Sequence, residues 1–230
     1  MNEYHKNNTF FVTGTDTDVG KTISCKALLQ AANKHKLTTL AYKPIAAGCE
    51  LTADGLRNED ALILQKNSSI AVSYDALNPI SFAQPIAPHI AAEVENRPIQ
   101  SHLITQGFQA LQKLNADLLI IEGAGGWRLP LNDKEMLSDW VIAQNLAVIL
   151  VVGMKLGCLN HAILTYETII NDGLTVVGWI ANQVQAEMPF YEHNLQLLST
   201  KIKAPMIAEI PFLNNIHQVD LAQFVNFPLK

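Results

Sequence analysis

Hydrophobic runs of strand length recur along the chain and alternate with longer stretches of helical character. Each run is almost continuously apolar, without the polar residue at every second position that marks a half-exposed strand. Such runs are typical of strands buried on both faces, as in a parallel sheet covered by helices. The pattern therefore predicts six strands, at residues 9–14, 38–44, 117–123, 147–153, 174–182 and 205–211.

The stretches between these runs have the period of an α-helix. After the first run, a helix is expected to begin at Lys21, with an apolar stripe formed by Ile23, Ala27, Leu28, Ala31 and Ala32. A later helix should stop at Asp172-Gly173. The alternation of strand and helix predicts an α/β fold with a mainly parallel, doubly wound sheet flanked by helices. The less regular region 45–100 is expected to carry binding loops, or else only to connect elements.

Composition and charge narrow the class of protein. The 230 residues, of which 49% are hydrophobic and 16% charged, fit a single domain (1–230) with a polar N-terminal tail at 1–8. A net charge of −5 without a Lys/Arg-rich run argues against a nucleic-acid partner. The sequence has neither a signal-peptide core nor an apolar run near the roughly 20 residues that span a bilayer, so we expect no membrane partner and a cytoplasmic protein. Its three cysteines lack a C-x-x-C motif and should be reduced and mostly buried, without a zinc site.

The stretch "FFVTGTDTDVGKT" lies between the first predicted strand and the first predicted helix, which is the setting of a phosphate-binding loop. Gly20, Lys21 and Thr22 match the standard pattern G-x-x-x-x-G-K-[S/T], but Thr15 occupies the first glycine position and Gly14 comes one residue early. Because that glycine only has to permit a tight turn, we interpret the stretch as a phosphate cradle and not as an ordinary β–α turn. Lys21 would contact the β- and γ-phosphates, and the Thr22 hydroxyl would ligate Mg²⁺.

Charged residues also follow other predicted strands. Glu122 ends the run "DLLIIE" and precedes the small residues "GAGG", while Lys43 ends the second strand. Parallel strands share one carboxyl edge, so both side chains should face Lys21. We expect Glu122 to hold Mg²⁺, with a helix cap as the alternative. Lys43 should act on phosphate and a second substrate, with an exposed surface lysine as the alternative.

Three further carboxylates remain ambiguous at this level. Asp60 precedes an apolar helical stretch and could either cap that helix or ligate a metal. Asp16 and Asp18 lie in the phosphate loop, where carboxylates are unusual unless a metal or a cationic group is near. One of them could orient a substrate amine, or both could be solvated.

Eight segments together resemble the dethiobiotin synthetase family in order and spacing, from about residue 9 to residue 213: "FFVTGTDTDVGKT", "YKPIAAG", "GLRNEDAL", "PIAPHIAA", "EGAGGW", "VILVVGMKLGCLNHA", "GWIAN" and "EIPFL". The family's loop carries the same extra residue between Gly14 and Gly20. The resemblance implies a P-loop NTPase-like single domain that forms a homodimer. It also implies a ligase of biotin biosynthesis that uses ATP and Mg²⁺. Such an enzyme carboxylates 7,8-diaminononanoate with CO₂ and closes the ring through a carbamate and a carbamic–phosphoric mixed anhydride.

The resemblance also implies roles for individual positions. The catalytic residues would be Lys43, Lys21 and Thr17, and the Mg²⁺ ligands Thr22, Asp60 and Glu122. The nucleotide contacts would be Asp18, Val19, Gly20, Lys21, Thr22, Ile23, Asp60, Glu122, Gly123, Ala124, Gly125, Asn182, Gln183, Pro211, Phe212 and Leu213. The substrate contacts would be Ala47 and, reaching the partner's site, Gly157, Cys158, Leu159 and Asn160.

The sequence departs from the family at three of these positions. Ala47 stands where relatives often have a hydroxyl residue, which puts one substrate contact in doubt. Asp18 stands where Glu or Gly is frequent, which is a mild change. Gln183 stands where Asp is common, so nucleotides other than ATP remain open. His89 and His161 are expected to be structural or next to substrate, since the chemistry requires no histidine base.

Two alternative functions fit the sequence less well. Synthetases that amidate cobyrinic acid need a glutaminase domain with a cysteine nucleophile and a histidine, for which 230 residues leave no room. Nucleotide-switch proteins of the partitioning type usually carry an additional lysine early in the loop, and residues 14–19 contain none. Some of those proteins also end in a basic amphipathic helix, which the tail 219–230 does not resemble.

Overall fold

The computed structural model describes residues 8–216 and 218–226. In chain order its elements are β1 (Asn8–Gly14), α1 (Lys21–Lys34), β2 (Thr39–Tyr42), β3 (Ile45–Ala46), β4 (Glu50–Thr52), β5 (Gly55–Arg57), α2 (Glu59–Asn67), α3 (Tyr74–Leu77), β6 (Ile80–Ser81), α4 (Pro88–Val94), α5 (Ser101–Gln112), β7 (Leu118–Gly126), α6 (Leu137–Ala143), β8 (Ala147–Met154), α7 (Cys158–Asn171), β9 (Val176–Gln183), α8 (Tyr191–Lys201), β10 (Met206–Ile210) and a short 3-10 helix (Leu221–Phe224). Of the predicted tail, residues 1–7 lie outside the described residues, and Asn8 is the first residue of β1. The last four residues of the tail 219–230 also lie outside them.

The six predicted strands form the central sheet. Its order is β10-β9-β8-β1-β7-β2, and every neighbouring pair is parallel. The irregular region contributes two small additions, the parallel pair β3–β6 and the antiparallel hairpin β4–β5. The prediction of a mainly parallel α/β sheet is therefore confirmed.

Both faces of the sheet are covered, which explains the unbroken apolar runs. Successive strand residues point to opposite faces, and in β7 Leu119 and Ile121 pack in one core cluster while Leu118 and Ile120 pack in the other. The first cluster includes residues of α4 to α8, and the second includes residues of α1 to α3. A strand that meets helices on both sides has no solvent-facing position to fill with a polar residue.

The strand order places the chemically interesting segments at one edge. In a parallel sheet all carboxyl ends lie on the same side, and ligands bind there. The loop after β1 is flanked by the ends of β7 and β8, because β1 lies between these two strands. In the described part of the chain, no helix is long and apolar enough to cross a membrane.

Candidate active site

The loop between β1 and α1 is packed around the side chain of Val19. Val19 is completely buried. A Cβ atom added to Gly14 would lie 2.5 Å from Val19 Cγ2, and one added to Gly153 of β8 would lie 2.7 Å from Val19 Cγ1. The glycine that seemed misplaced in the motif is therefore the residue that leaves room for this packing. Thr15, at the standard position, donates its backbone N–H to the Val151 carbonyl at 3.0 Å.

The start of α1, at the end of the loop, has no side-chain cap. Gly20 is the N-cap residue, with φ of 86°, and no side chain hydrogen-bonds to this helix terminus. Asn182 of β9 supports the loop, because its Nδ2 donates to the Val19 carbonyl at 2.9 Å. A Cβ atom on Gly20 would lie 2.1 Å from that nitrogen, so a side chain there would displace Asn182. The free first-turn N–H groups and the positive end of the helix dipole suit an anion such as phosphate.

Lys21 contributes a buried positive charge to the same loop. The residue is 8% exposed, and its Nζ donates to the Asp16 carbonyl at 3.0 Å. Burial lowers the pKa of Lys21, and the positive charge of Lys43 acts in the same direction, against the attraction of Glu122. A buried ammonium that lacks full compensation is an electrostatic site for an added anion.

Glu122 is the centre of the polar cluster. It lies within β7 and is 1% exposed. Its Oε1 accepts from Thr22 Oγ1 at 2.8 Å and from Lys43 Nζ at 2.6 Å. These contacts join the residue after β2, strand β7 and the first turn of α1, as the shared edge of the sheet predicted. The helix-cap alternative for Glu122 is wrong, because the side chain bonds to these two side chains.

Lys43 links Glu122 to the start of α2. Lys43 is 4% exposed, so the alternative of an exposed surface lysine is wrong. Its Nζ lies 3.3 Å from Asp60 Oδ2. Burial alone would lower the pKa of Lys43, but the charges of Glu122 and Asp60 outweigh burial and raise it, so the amine stays protonated. Asn58, not Asp60, caps α2 by accepting from the Ala61 N–H, which leaves the Asp60 carboxylate for other partners.

The donor set fits a magnesium ion. Glu122 Oε2 is buried and has no hydrogen-bond partner among the described residues, and such an orphaned oxygen is costly unless a ligand satisfies it. Two carboxylates and the Thr22 hydroxyl are hard oxygen donors of the kind Mg²⁺ prefers, with phosphate and water completing its shell. Within residues 8–216 and 218–226, no group of three or more His, Cys, Asp or Glu could hold a metal, so a site here would depend on that mixed set.

The acidic side chains of the loop have different surroundings. Asp16 Oδ2 lies 3.4 Å from Lys155 Nζ, and its Oδ1 accepts from the Thr17 N–H at 2.7 Å. The Thr17 N–H lowers the pKa of Asp16, and Lys155 lowers it further. Asp18 is exposed, with φ of 56°. The sequence reasoning missed Lys155, although a lysine directly after the apolar run of β8 carries the same signal as Lys43 does after β2.

The hydroxyl of Thr17 faces the small residues that end β7. Thr17 is exposed, and a Cβ atom on Gly125 would lie 3.9 Å from Thr17 Oγ1. Gly125 has φ of 58°, and the neighbouring Ala124 is half-buried. A Cβ atom on Gly123 would lie 2.8 Å from Phe11 Cζ, so only a glycine at this position leaves room for the Phe11 ring of β1. The structure thus brings Thr17 and this run together, next to Glu122.

The segments expected to contact the base lie on the next two strands. Asn182 is in register with Ile210, the last residue of β10, so residues 211–213 leave the sheet beside it. Asn182 Oδ1 is buried without a hydrogen-bond partner among the described residues. Gln183 Nε2 donates to the Ala186 carbonyl at 3.4 Å. Phe212 is exposed and is the largest apolar side chain of residues 211–213.

The positions expected to contact the second substrate are divided between two places. Residues 157–160 follow β8 and begin α7, whose N-cap Gly157 has φ of 94° and no side-chain cap. Cys158 is buried and Asn160 is exposed, so Cys158 is a packing residue. Ala47 is half-buried, and its carbonyl accepts from Asn58 Nδ2 at 3.3 Å.

Comparisons with known proteins agree with this geometry. A family model described as an AAA domain matches residues 8–219. The solved MinC:MinD cell division protein complex of Aquifex aeolicus matches with a TM-score of 0.57 and 14% identity, over 95% of this chain and 86% of that one. A ParA family ATPase from Chlorobium tepidum TLS matches with a TM-score of 0.56 and 12% identity, over 94% and 90%. At such identities the likeness concerns the fold alone, and fold and loop together define the class of P-loop NTPases.

Sequence relatives specify the family. The ATP-dependent dethiobiotin synthetase BioD of Aeromonas salmonicida (strain A449) is 49% identical over 212 residues, 92% of this chain and 94% of the relative. The ATP-dependent dethiobiotin synthetase BioD 1 of Escherichia coli (strain K12) is 47% identical over 221 residues, 96% of this chain and 98% of the relative. The chain belongs to the dethiobiotin synthetase family.

Proposed function

We propose that this protein carboxylates 7,8-diaminononanoate with CO₂ and closes the ring to dethiobiotin, with ATP converted to ADP and phosphate. The observation that carries the proposal is the meeting of Lys21, Lys43 and Glu122 beside an uncapped helix start, in a chain of this family. One amine of the substrate would add to CO₂ and lose a proton, which gives a carbamate. A carbamate oxygen would attack the γ-phosphorus and expel ADP. The second amine would then attack the carbamoyl carbon, lose a proton and expel phosphate.

The residues at the sheet edge supply positioning and charge, which is what phosphoryl transfer requires of a protein. Backbone N–H groups of the loop and Lys21 would hold the β- and γ-phosphates. Lys43 would lie between the carbamate and the γ-phosphate and stabilise the negative charge that moves between them. Thr22, Asp60 and Glu122 would hold Mg²⁺, which when bound neutralises charge on the phosphate oxygens. Thr17 would orient the carbamate.

The remaining contacts concern the base and the far end of the substrate. Asn182 would accept a hydrogen bond from the adenine amino group through its unsatisfied Oδ1, and Gln183 and residues 211–213 would line the base. In a homodimer, the uncapped start of α7 at residues 157–160 would receive the carboxylate of the substrate bound to the partner. Leu156, next to this helix start, is 96% exposed and would be covered in such a dimer. Because ATP and bicarbonate are solutes of the cytoplasm, the proposal includes that location.

The test is an assay with purified protein, 7,8-diaminononanoate, bicarbonate, Mg²⁺ and ATP, in which dethiobiotin is detected by mass spectrometry. Lys43→Gln should lower kcat by about 10²–10³-fold, the cost of losing one transition-state charge contact, while ATP still binds. Lys66→Gln is the matched control, since Lys66 is an exposed lysine of α2 away from the polar cluster. Folded protein that releases no diamine-dependent ADP and forms no product would exclude the function. Normal turnover by Lys43→Gln would exclude only the role of that lysine.

A further inference from the structure

Behind Lys43 lies a set of buried or half-buried polar side chains that the proposed chemistry does not use. We call Tyr74, Asn78, Ser81 and Asn58 the Tyr74 network. Asn78 is 2% exposed, and its Nδ2 donates to the Lys43 carbonyl at 2.6 Å. Its Oδ1 accepts from the Tyr74 hydroxyl at 2.9 Å and from Ser81 Oγ at 2.8 Å. The side-chain amide of Asn78 is thus fixed in orientation and holds the backbone of Lys43.

Through Asn58, the Tyr74 network also fixes the start of α2, the helix that carries Asp60. The backbone N–H of Asn58 donates to the Tyr74 hydroxyl at 2.7 Å. Asn58 Oδ1 accepts from the Ala61 N–H at 3.2 Å and caps α2, whose second residue is Asp60. The one hydroxyl of Tyr74 therefore bonds to both segments, through Asn78 to Lys43 and through Asn58 to Asp60.

The ring of Tyr74 is itself held in place. Tyr74 is 8% exposed, and the guanidinium carbon of Arg57 lies 4.2 Å from its ring centroid. The Lys43 N–H also donates to the Leu77 carbonyl at 2.9 Å, so α3 fixes Lys43 through backbone as well as side chain. Because the ring of Tyr74 is restricted on several sides, its hydroxyl has a fixed position. It therefore sets the positions of its hydrogen-bond partners more strictly than a mobile side chain would.

We propose that Tyr74 and Asn78 are positioning residues that set the separation of Lys43 and Asp60. Lys43 Nζ lies 2.6 Å from Glu122 and 3.3 Å from Asp60. Lys43 can contact both carboxylates only if the backbone segments of Lys43 and Asp60 keep a fixed separation. Groups of this kind must be held within about 0.5 Å of the productive geometry, which falls to the residues behind them. The roles of Lys43 and Asp60 in this inference rest on the proposed function. The link from Tyr74 to these two residues rests on the hydrogen bonds of Asn78 and Asn58.

The experiment compares Tyr74→Phe with wild type. The substitution keeps the ring over Arg57 and removes only the hydroxyl. We expect kcat to fall about tenfold, as is usual for removal of a supporting hydrogen bond behind a metal or catalytic ligand, with the KM for 7,8-diaminononanoate nearly unchanged. A binding readout is independent of turnover: calorimetric titration with ADP should require about tenfold more Mg²⁺ to reach tight binding.

Tyr42→Phe is the matched control. Tyr42 precedes Lys43 in the chain and is fully buried, but its hydroxyl donates to the Ile104 carbonyl of α5, away from the network. Both variants should lose stability, Tyr74→Phe more than Tyr42→Phe, because the Tyr74 hydroxyl makes two hydrogen bonds and the Tyr42 hydroxyl makes one. Only Tyr74→Phe should change kcat and the Mg²⁺ dependence of ADP binding. Equal effects of the two variants on those quantities would overturn the proposal.

A double-mutant cycle with Asp60→Asn separates positioning from a general loss of structure. If Tyr74 acts through Asp60, the double variant should be hardly worse in kcat than Asp60→Asn alone, since coupled residues are not additive. Full additivity of the two losses would overturn the inference. Failure of the proposed function would look different, because wild type itself would then form no dethiobiotin, while the ADP titration would still report on the coupling.

Discussion

At the scale of single residues, the site contains charges that the folded protein holds at some cost until a ligand arrives. Lys21 is buried with a lowered pKa, and one oxygen of Glu122 has no hydrogen-bond partner among the described residues. Both features favour function over stability, since a bound anion would compensate the charge of Lys21 and a bound cation would contact the free oxygen of Glu122. Lys43 differs, because its carboxylate neighbours already stabilise its charge.

Lys21→Met should therefore stabilise the protein without nucleotide and abolish nucleotide binding. We expect the melting temperature at pH 7 to rise by about 2–4 °C, the shift that roughly 1 kcal/mol produces in a domain of this size. The pKa of Lys21 is lower in the folded state than its ordinary value of 10.5. The cost of its charge is thus complete below the folded-state pKa and fades as pH rises towards 10.5.

The measurement is thermal unfolding of both proteins from pH 7 to pH 10, without and with ADP. The gap between variant and wild type should shrink as pH rises. With ADP and Mg²⁺ at pH 7, wild type should become the more stable of the two. A variant that melts lower than wild type in the absence of nucleotide would contradict the assignment of Lys21 as an under-compensated charge.

At the scale of elements, α1 is fixed by the chain segment that follows residues 211–213. Lys26 is 4% exposed, and its Nζ donates to the carbonyls of Ile216 and Val219 at 3.1 Å each. One turn later, Gln30 Oε1 accepts from the Leu221 N–H at 2.8 Å. The helix that begins at the phosphate loop therefore also orders the end of the described chain.

Lys26→Met should destabilise the protein more than Lys34→Met does. Removal of the Lys26 amine leaves two carbonyls without this donor, which costs about 1–3 kcal/mol in the free energy of unfolding. Lys34 forms an ion pair with Asp220 at 2.6 Å, but both side chains are more than half exposed. Such pairs contribute about 0–1 kcal/mol. Urea unfolding of both variants measures the difference, and equal losses would contradict it.

At the scale of the whole molecule, neighbouring strands set the shape of the phosphate loop. Val19 packs against Gly153 of β8, and Asn182 of β9 holds the Val19 carbonyl. Loop and strands are far apart in the chain and adjacent only because β1, β8 and β9 follow one another in the sheet. A change in β8 should therefore affect nucleotide binding without replacing any residue of the phosphate loop.

Gly153→Ala should weaken ADP binding by as much as about 10²-fold, the effect that a displacement near 1 Å can have on a positioned site. The added Cβ would lie 2.9 Å from Val19 Cβ and 3.1 Å from its Cα, so the loop backbone must move. Gly178→Ala in β9 is the control, because its Cβ would meet the side chain of Ile207 and not the loop. Calorimetric titration should find weakened binding for Gly153→Ala alone. Similar affinities for the two variants would show that the loop tolerates the contact.

The sequence by itself determined the six strands, the start of α1 at Lys21 and the phosphate loop, because these depend on local periodicity and on the residues of one turn. It also indicated Lys43 and Glu122, since parallel strands share a carboxyl edge. Only the tertiary structure decided that Glu122 contacts Lys43 and Thr22, 79 and 100 positions away in the chain. It likewise decided that Asn58 caps α2 and that Tyr74 joins Lys43 to Asp60. Such contacts depend on strand order and on which buried polar groups find partners, and neither is encoded in a local pattern.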